Sequence, residues 1–140
     1  MTFNAYLFFS NGTCSEAFER YAEVFGGAVT IMRMGDVPAD QRMPGAADDV
    51  VMHAALKVGD ALLMGSDDPS GDGGPKLGFN VAYTAPDPDT AERVFAALGE
   101  GGDVTMPMAK TFWSPAFGMV TDRFGVPWMI DVATTGTPSE

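Results

Sequence analysis

Apolar residues in this chain fall into short runs, where they are adjacent or two apart, and two longer runs, where they recur every three or four positions. The first spacing belongs to strands and the second to helices. Phe3 to Phe9 is apolar and aromatic, which favours a strand, and it stops at the turn-forming Ser10-Asn11-Gly12. Thr13 precedes Glu16 by the spacing of a capping box. Ala17, Phe18, Tyr21, Ala22 and Phe25 then recur on one helical face, with Glu16, Glu19, Arg20 and Glu23 on the other. The spacing predicts a helix over 13–25 that Gly26-Gly27 terminates. Residues 28–34 read as a strand, 35–49 as a Pro-, Gly- and Asp-rich loop long enough to cover a site, and 50–58 with 61–65 as a hairpin turning at Gly59-Asp60. Residues 66–75 read as a linker or surface loop.

The pattern then starts again. Residues 77–84 predict a strand, and Asp87-Pro88, or Asp89 with Glu92, opens a helix whose apolar face is Ala91, Val94, Phe95 and Leu98. Gly101-Gly102 closes that turn, residues 103–108 form a strand, and 117–122 with 127–133 form a last hairpin turning tightly at Gly125. The tail from Thr134 is polar and expected to fray. The halves superpose as sequences: Tyr6-Leu7-Phe8-Phe9 lies opposite Asn80-Val81-Ala82-Tyr83, and Ala17 with Tyr21 opposite Ala91 with Phe95. Gly26-Gly27-Ala28-Val29-Thr30 matches Gly101-Gly102-Asp103-Val104-Thr105 with one residue inserted. The unit is strand, helix, three strands, and it occurs twice, in modules of about 3–67 and 77–133 within an α+β chain.

With 140 residues, the chain suits one well-buried domain, 1–140, and its 46% hydrophobic and 19% charged content belongs to folded proteins. Its formal charge of −11 and scattered Lys and Arg argue against a nucleic-acid partner, which needs a clustered basic face. No apolar run approaches the roughly 20 residues of a membrane helix, so no membrane partner is expected. No basic region precedes the first apolar stretch and Cys14 is the single cysteine, so a reducing cytoplasmic location is expected.

A doubled βαβββ unit resembles the plan of the vicinal oxygen chelate superfamily, which includes glyoxalase I, bleomycin and fosfomycin resistance proteins and extradiol dioxygenases. The chain looks closest to the PhnB-like proteins. The resemblance is carried by Tyr6-Leu7-Phe8-Phe9 with Ala17-Phe18, Phe25-Gly26-Gly27, His53-Ala54, Leu63-Met64-Gly65-Ser66-Asp67, Phe112-Trp113 with Phe117-Gly118, and above all Asp122-Arg123-Phe124-Gly125-Val126-Pro127-Trp128-Met129-Ile130. It implies two modules whose sheets form a cup holding ligand and metal, and a homodimer, which exposed sheet edges also favour. Metal enzymes of the superfamily take ligands from the first and last strands of each module; by position these are Tyr6, Leu63, Asn80 and Met129, or, with the register one residue off, Met64 and Ile130 in the last strands. A phenol, an alkyl group, an amide and a thioether are poor ligands for a hard or borderline divalent ion. No metal or other cofactor is therefore expected.

Several groups remain candidates for chemistry. Asp131 shares a strand face with Met129 and is the one carboxylate near the expected site; it reads as a structural or ligand-bonding residue near the strand end, or with Asn80 and Tyr6 as the holder of a weak ion. His53, the single histidine, shares a face with Ala55 and Lys57 and reads either as a packing residue or as a ligand contact or proton-transfer group. Asp131 and His53 are thus the catalytic candidates, and Tyr6, His53, Asn80, Trp113, Met129 and Asp131 the ligand-binding ones. Phe112, Trp113 and Phe117 read as an aromatic pocket wall, or equally as core or interface. Cys14, near a helix start, reads as a small buried side chain rather than a nucleophile. Asp68-Pro69-Ser70-Gly71-Asp72-Gly73 imitates a calcium loop but places Phe79 where the bidentate Glu belongs. Gly99-Glu100-Gly101-Gly102 follows a helix, unlike a dinucleotide loop, and a demethylubiquinone methyltransferase label sometimes carried by such proteins would need a Rossmann-type core. The expected function is binding of a small organic molecule. The alternatives are a metal-dependent or acid/base lyase or dioxygenase-type enzyme, and an antibiotic-sequestering protein of the bleomycin-binding type.

Overall fold

A computed structural model describes residues 2–42, 44, 45, 47–68 and 76–133. The calcium-loop imitation, most of the 66–75 loop and the polar tail lie outside the described residues. The chain divides into two compact units, Met1–Gly74 and Pro75–Glu140. Each contains one of the two repeats.

The first unit runs β1 (Tyr6–Phe9), α1 (Cys14–Phe25), β2 (Ala28–Arg33), β3 (Val51–Val58) and β4 (Ala61–Asp67). Its sheet order is β1-β4-β3-β2, with β1 parallel to β4 and the other neighbours antiparallel. The apolar stripe of α1 (Cys14, Ala17, Phe18, Tyr21 and Val24) is buried, as are Leu7, Phe9, Ala54 and Leu56 of the sheet. Phe18 sits edge-on to both Phe9 and Tyr21, with ring centroids 5.9 and 5.8 Å apart. Each such side chain removed from water contributes about 2 kcal/mol. The sheet's other face carries Tyr6, Phe8 and Met32, all exposed to solvent.

The second unit repeats the plan: β5 (Val81–Ala85), α2 (Pro88–Gly99), β6 (Asp103–Ala109), β7 (Phe117–Thr121) and β8 (Pro127–Val132), in sheet order β5-β8-β7-β6. Strand β5 pairs parallel with β8. Ala91, Val94 and Leu98 of α2 are buried, as are Val120, Trp128, Ile130 and Val132 of the sheet.

Several expectations shift. The runs from Phe3 and Leu77 start too early: β1 begins at Tyr6 and β5 at Val81, and Phe3 and Leu77 are almost wholly exposed, so neither has a neighbour to pack on. The Thr13/Glu16 capping box does not cap α1. With ψ near 0° at Thr13, its hydroxyl donates to the Ser10 carbonyl at 2.9 Å. The Asp67 carboxylate takes over: Oδ1 accepts from the Cys14 backbone N–H at 3.0 Å, and Oδ2 from that of Val51 at 2.9 Å. Asp67 can do so because β4 runs past Gly65 to pair with Phe9. In α2 the expected start holds, with Asp87 accepting from the Thr90 backbone N–H at 2.7 Å and Pro88 in the first turn.

The 35–49 loop is pinned to its own backbone by two arginines. Arg42 donates to the carbonyls of Val37 (2.8 Å) and Gly35 (3.2 Å), and Arg33 to that of Asp49 (2.9 Å). No helix among the described residues is long and apolar enough to cross a membrane.

Candidate functional site

In each unit the helix covers one sheet face, so functional side chains have to be sought on the other. On the first unit's open face, β1 contributes Tyr6 (39% exposed) and Phe8 (55%), whose rings lie 5.3 Å apart at 47°. The antiparallel ladder puts His53 opposite Met32 and Ala55 opposite Met64, and the parallel one puts Tyr6 beside Met64. The Tyr6 hydroxyl lies 3.2 Å from His53 Nδ1, with the rings 5.7 Å apart. Two residues 47 positions apart in the chain thus form a polar pair on a face that also carries the aromatic Phe8 and the thioethers of Met32 and Met64. A neutral imidazole bonded at Nδ1 keeps Nε2 for a ligand, so the pair could orient a polar group or relay a proton.

The register corrects one assignment. Leu63 lies opposite Leu56, which is buried under α1, whereas Met64 shares the open face with Tyr6. The first unit's two places are therefore Tyr6 and Met64. In the second unit, Met129 pairs with Ala82, and Asn80 immediately precedes β5. In neither unit does its pair, phenol with thioether in the first and amide with thioether in the second, suit a hard or borderline divalent ion. Among the described residues no three His, Cys, Asp or Glu side chains gather into a metal-holding group.

The second unit's open face is organised in rows across the strands. Met106 of β6 lies opposite Met119 of β7, which lies opposite Met129 of β8, which neighbours Ala82 of β5. One row further, Ala109 faces Phe117, and Asp131 neighbours Thr84. Counting two residues from the Met119–Met129 pair in opposite directions brings Phe117 and Asp131 together on this face. Asp131 is half-buried.

The loop joining β6 to β7 carries the aromatic wall. Trp113 stands edge-on to Phe112 at 4.6 Å and to Phe117 at 5.3 Å. Phe117 is buried, Trp113 half exposed at 49%, and Phe112 extends fully into solvent at 97%. A small polar lock holds the loop. The Thr111 hydroxyl accepts from the Ser114 backbone N–H (3.1 Å), and the buried Ser114 hydroxyl donates to the Ala116 carbonyl (2.8 Å) and accepts from the Val132 backbone N–H (3.4 Å). Through that last bond Trp113 is tied to the strand carrying Asp131.

Two polar residues that the sequence reading left unassigned organise the frame. Asp67 has been described. Asp122, only 5% exposed, accepts from the backbone N–H groups of Phe124 (2.9 Å) and Val126 (3.0 Å) at Oδ1, and from the Trp128 indole N–H (2.9 Å) at Oδ2. Gly125 closes the turn at φ +87°, which a side chain would disfavour. The conspicuous motif from Asp122 to Trp128 is thus a hairpin lock, and what it positions is the strand bearing Met129 and Asp131. Its signal was available in the sequence, as an Asp beside a Gly turn with an aromatic donor a few residues on.

Cys14 is fully buried, and burial, reinforced by the neighbouring Asp67 charge, pushes its thiol up to about 12, against nucleophilic use.

A family model described as 3-demethylubiquinone-9 3-methyltransferase matches residues 2–131. Protein YjdN of Escherichia coli (strain K12) is 32% identical over 142 residues, covering 94% of this chain and 95% of YjdN. The crystal structure of protein PA1353 from Pseudomonas aeruginosa is similar with 41% identity, covering 94% of this chain and 97% of that one, at a TM-score of 0.84. A putative 3-demethylubiquinone-9 3-methyltransferase, PhnB protein, from Bacillus cereus shares the fold at 24% identity and a TM-score of 0.72, over 95% of this chain and 100% of that one. So does a glyoxylase/bleomycin resistance protein/dioxygenase domain from Frankia sp. EAN1pec, at 10% identity and a TM-score of 0.64, over 96% and 99% of the two chains. Neither described sheet has the doubly wound parallel order of a Rossmann-type core. With two βαβββ modules and a family match along almost its whole length, the chain belongs to the PhnB-like family, whose model carries the demethylubiquinone methyltransferase description, within the vicinal oxygen chelate (glyoxalase/bleomycin resistance/dioxygenase) superfamily.

Proposed function

We propose that this protein binds a small organic molecule on the open faces of its sheets, without a catalytic metal, as a homodimer in the cytoplasm. The observation that carries the reading is the chemistry of those faces. Solvent-exposed Tyr6, Phe8, Met32 and Trp113 stand there with polar groups such as Thr30, His53, Lys57, Thr84 and Asp131 between them, a mixture suited to an organic ligand that carries polar groups of its own. The places that hold metal in related enzymes carry Tyr6, Met64, Asn80 and Met129 instead of imidazoles and carboxylates.

Metal analysis of protein purified without chelator, paired with a thermal-shift screen of metabolites and antibiotics, tests both parts. Substoichiometric metal and saturable stabilisation by an organic compound are expected. Stoichiometric nickel, zinc, iron or manganese would sink the metal-free reading, and a screen without a single stabilising compound would sink the binding one. Light scattering after gel filtration tests the homodimer.

The Tyr6–His53 pair favours a second reading, metal-free acid/base catalysis on the bound molecule. Turnover of a compound found in the screen, abolished in both Tyr6→Phe and His53→Gln while binding survives, would select it. Binding without turnover selects the first.

A further inference from the structure

Asp131 near the end of β8 and Asp122 in the turn that leads into it differ in their surroundings in a way that points to a ligand. Asp122 is engaged by three donors of its own hairpin. The half-buried Asp131 carboxylate meets no hydrogen-bond or ion-pair partner among the described residues. Continuing the β7–β8 register one step past its last pair, Gly118 with Ile130, places Phe117 beside Asp131 on the same face, and Trp113 packs edge-on against Phe117 at 5.3 Å. The Ser114–Val132 bond holds the Trp113 loop against the strand end where Asp131 sits.

We infer that this corner of the second unit recognises a protonated organic amine, with its ammonium group at the Asp131 carboxylate and its charge against the Trp113 and Phe117 rings. The inference rests on the small-molecule reading above and names the class of molecule. Charge decides among the alternatives. A neutral compound covering Asp131 would strip water from a carboxylate and return at most a hydrogen bond without an opposing charge, and an anion would be repelled. An ammonium group supplies the donors that Asp131 lacks, and aromatic faces attract the same cation. Thr84, beside Asp131 in the parallel ladder, offers a hydroxyl for a further ammonium hydrogen. The row Met129, Met119 and Met106 provides an apolar and adaptable seat for the rest of the molecule.

The test uses three probes of similar shape: 2-phenylethylammonium, 2-phenylethanol and 3-phenylpropanoate. Each is titrated into the full chain while tryptophan fluorescence is followed. Trp113 is half exposed and Trp128 buried, so the change reports on Trp113. The ammonium should bind at least about tenfold more tightly than the alcohol, and the propanoate should not bind. Asp131→Asn should weaken the ammonium by about tenfold, leave the alcohol unchanged and keep the melting temperature of the parent, since no partner among the described residues is lost. Trp113→Phe should abolish the fluorescence change and keep ammonium binding by calorimetry, whereas Trp113→Ala should weaken it. Equal affinity for ammonium and alcohol, an ammonium affinity unchanged by Asp131→Asn, or no saturable ammonium binding would each overturn the amine assignment. The broader reading would then stand or fall on the metabolite screen, which includes neutral and anionic compounds.

Discussion

The Trp128 indole N–H donates to the Asp122 carboxylate at 2.9 Å across the last hairpin, and both groups are buried. The same carboxylate holds the turn through the Phe124 and Val126 amides. Asp122→Asn keeps the volume, removes the charge and turns an acceptor into a donor facing other donors. It should cost about 3 kcal/mol in urea unfolding. Trp128→Phe loses one of these bonds and some packing, and should cost less than Asp122→Asn. Equal stability of Asp122→Asn and the parent would show that the turn forms without the lock.

Cys14 gives a pH-dependent signature. Its thiol is raised from an ordinary 9.0 to about 12, first by burial and then by the Asp67 charge. The folded state therefore holds this proton over a window where the unfolded chain releases it. That contribution to stability is complete below about pH 9 and is lost as pH rises toward 12. Cys14→Ala should lose less stability over that window than the parent. Iodoacetamide should leave the native thiol unmodified at pH 8 and label it rapidly in denaturant. Labelling at equal rates in both states would contradict the buried placement.

Asp87 works in the opposite direction. Hydrogen bonding from Thr90, the backbone N–H first, holds its carboxyl below the ordinary 3.8. Its contribution is present above the unfolded value and is lost as pH falls through the depressed folded one. Asp87→Ala should lower the melting temperature at neutral pH. That difference should shrink steadily in melts below about pH 4, and a constant difference down to the acid limit would rule out the charged cap.

The two glycine pairs that mark the repeat differ internally. A Cβ at Gly27 would run into the Lys57 carbonyl oxygen, and one at Gly102 into that of Thr121. At Gly26 the same addition meets nothing. Gly27→Ala and Gly102→Ala should each cost about 2 kcal/mol, because a backbone carbonyl of the next strand has to move. Calorimetric melts of the two variants check this, and a tolerated Gly102→Ala would mean that β6 leaves the sheet edge easily.

Much of this arrangement was legible from spacing. The helical stripe through Ala17, Phe18 and Tyr21 and its counterpart through Ala91, Val94 and Leu98 are what the two helices bury. His53, Ala55 and Lys57 do share the face that carries Tyr6. What spacing could not reach was long-range polar partnership. Thr13 and Glu16 have the letters of a capping box, yet the cap comes from Asp67, which is distant in sequence and arrives only through the parallel pairing of β1 with β4. Leu63 and Met64 are adjacent and both apolar, so only the ladder register decides which one faces outward. Asp122 is the counter-example, since its donor Trp128 lies only six residues on, across a glycine turn that the sequence shows. At the candidate site the individual residues were readable, but the Tyr6–His53 contact and the isolation of Asp131 are properties of pairing and emerge only with the fold.

Ser114 links two things that would otherwise vary independently. Because its single hydroxyl fastens the aromatic loop to the Val132 amide, the Trp113 ring and the Asp131 strand end behave as one mechanical piece. Exchanging Phe112 or Trp113 for other side chains would redraw the wall while leaving its distance from the carboxylate intact. Loosening Ser114 would let the same unaltered residues drift out of alignment. Selectivity here can therefore be retuned by substitution at the loop's tip, and blurred by substitution at its base.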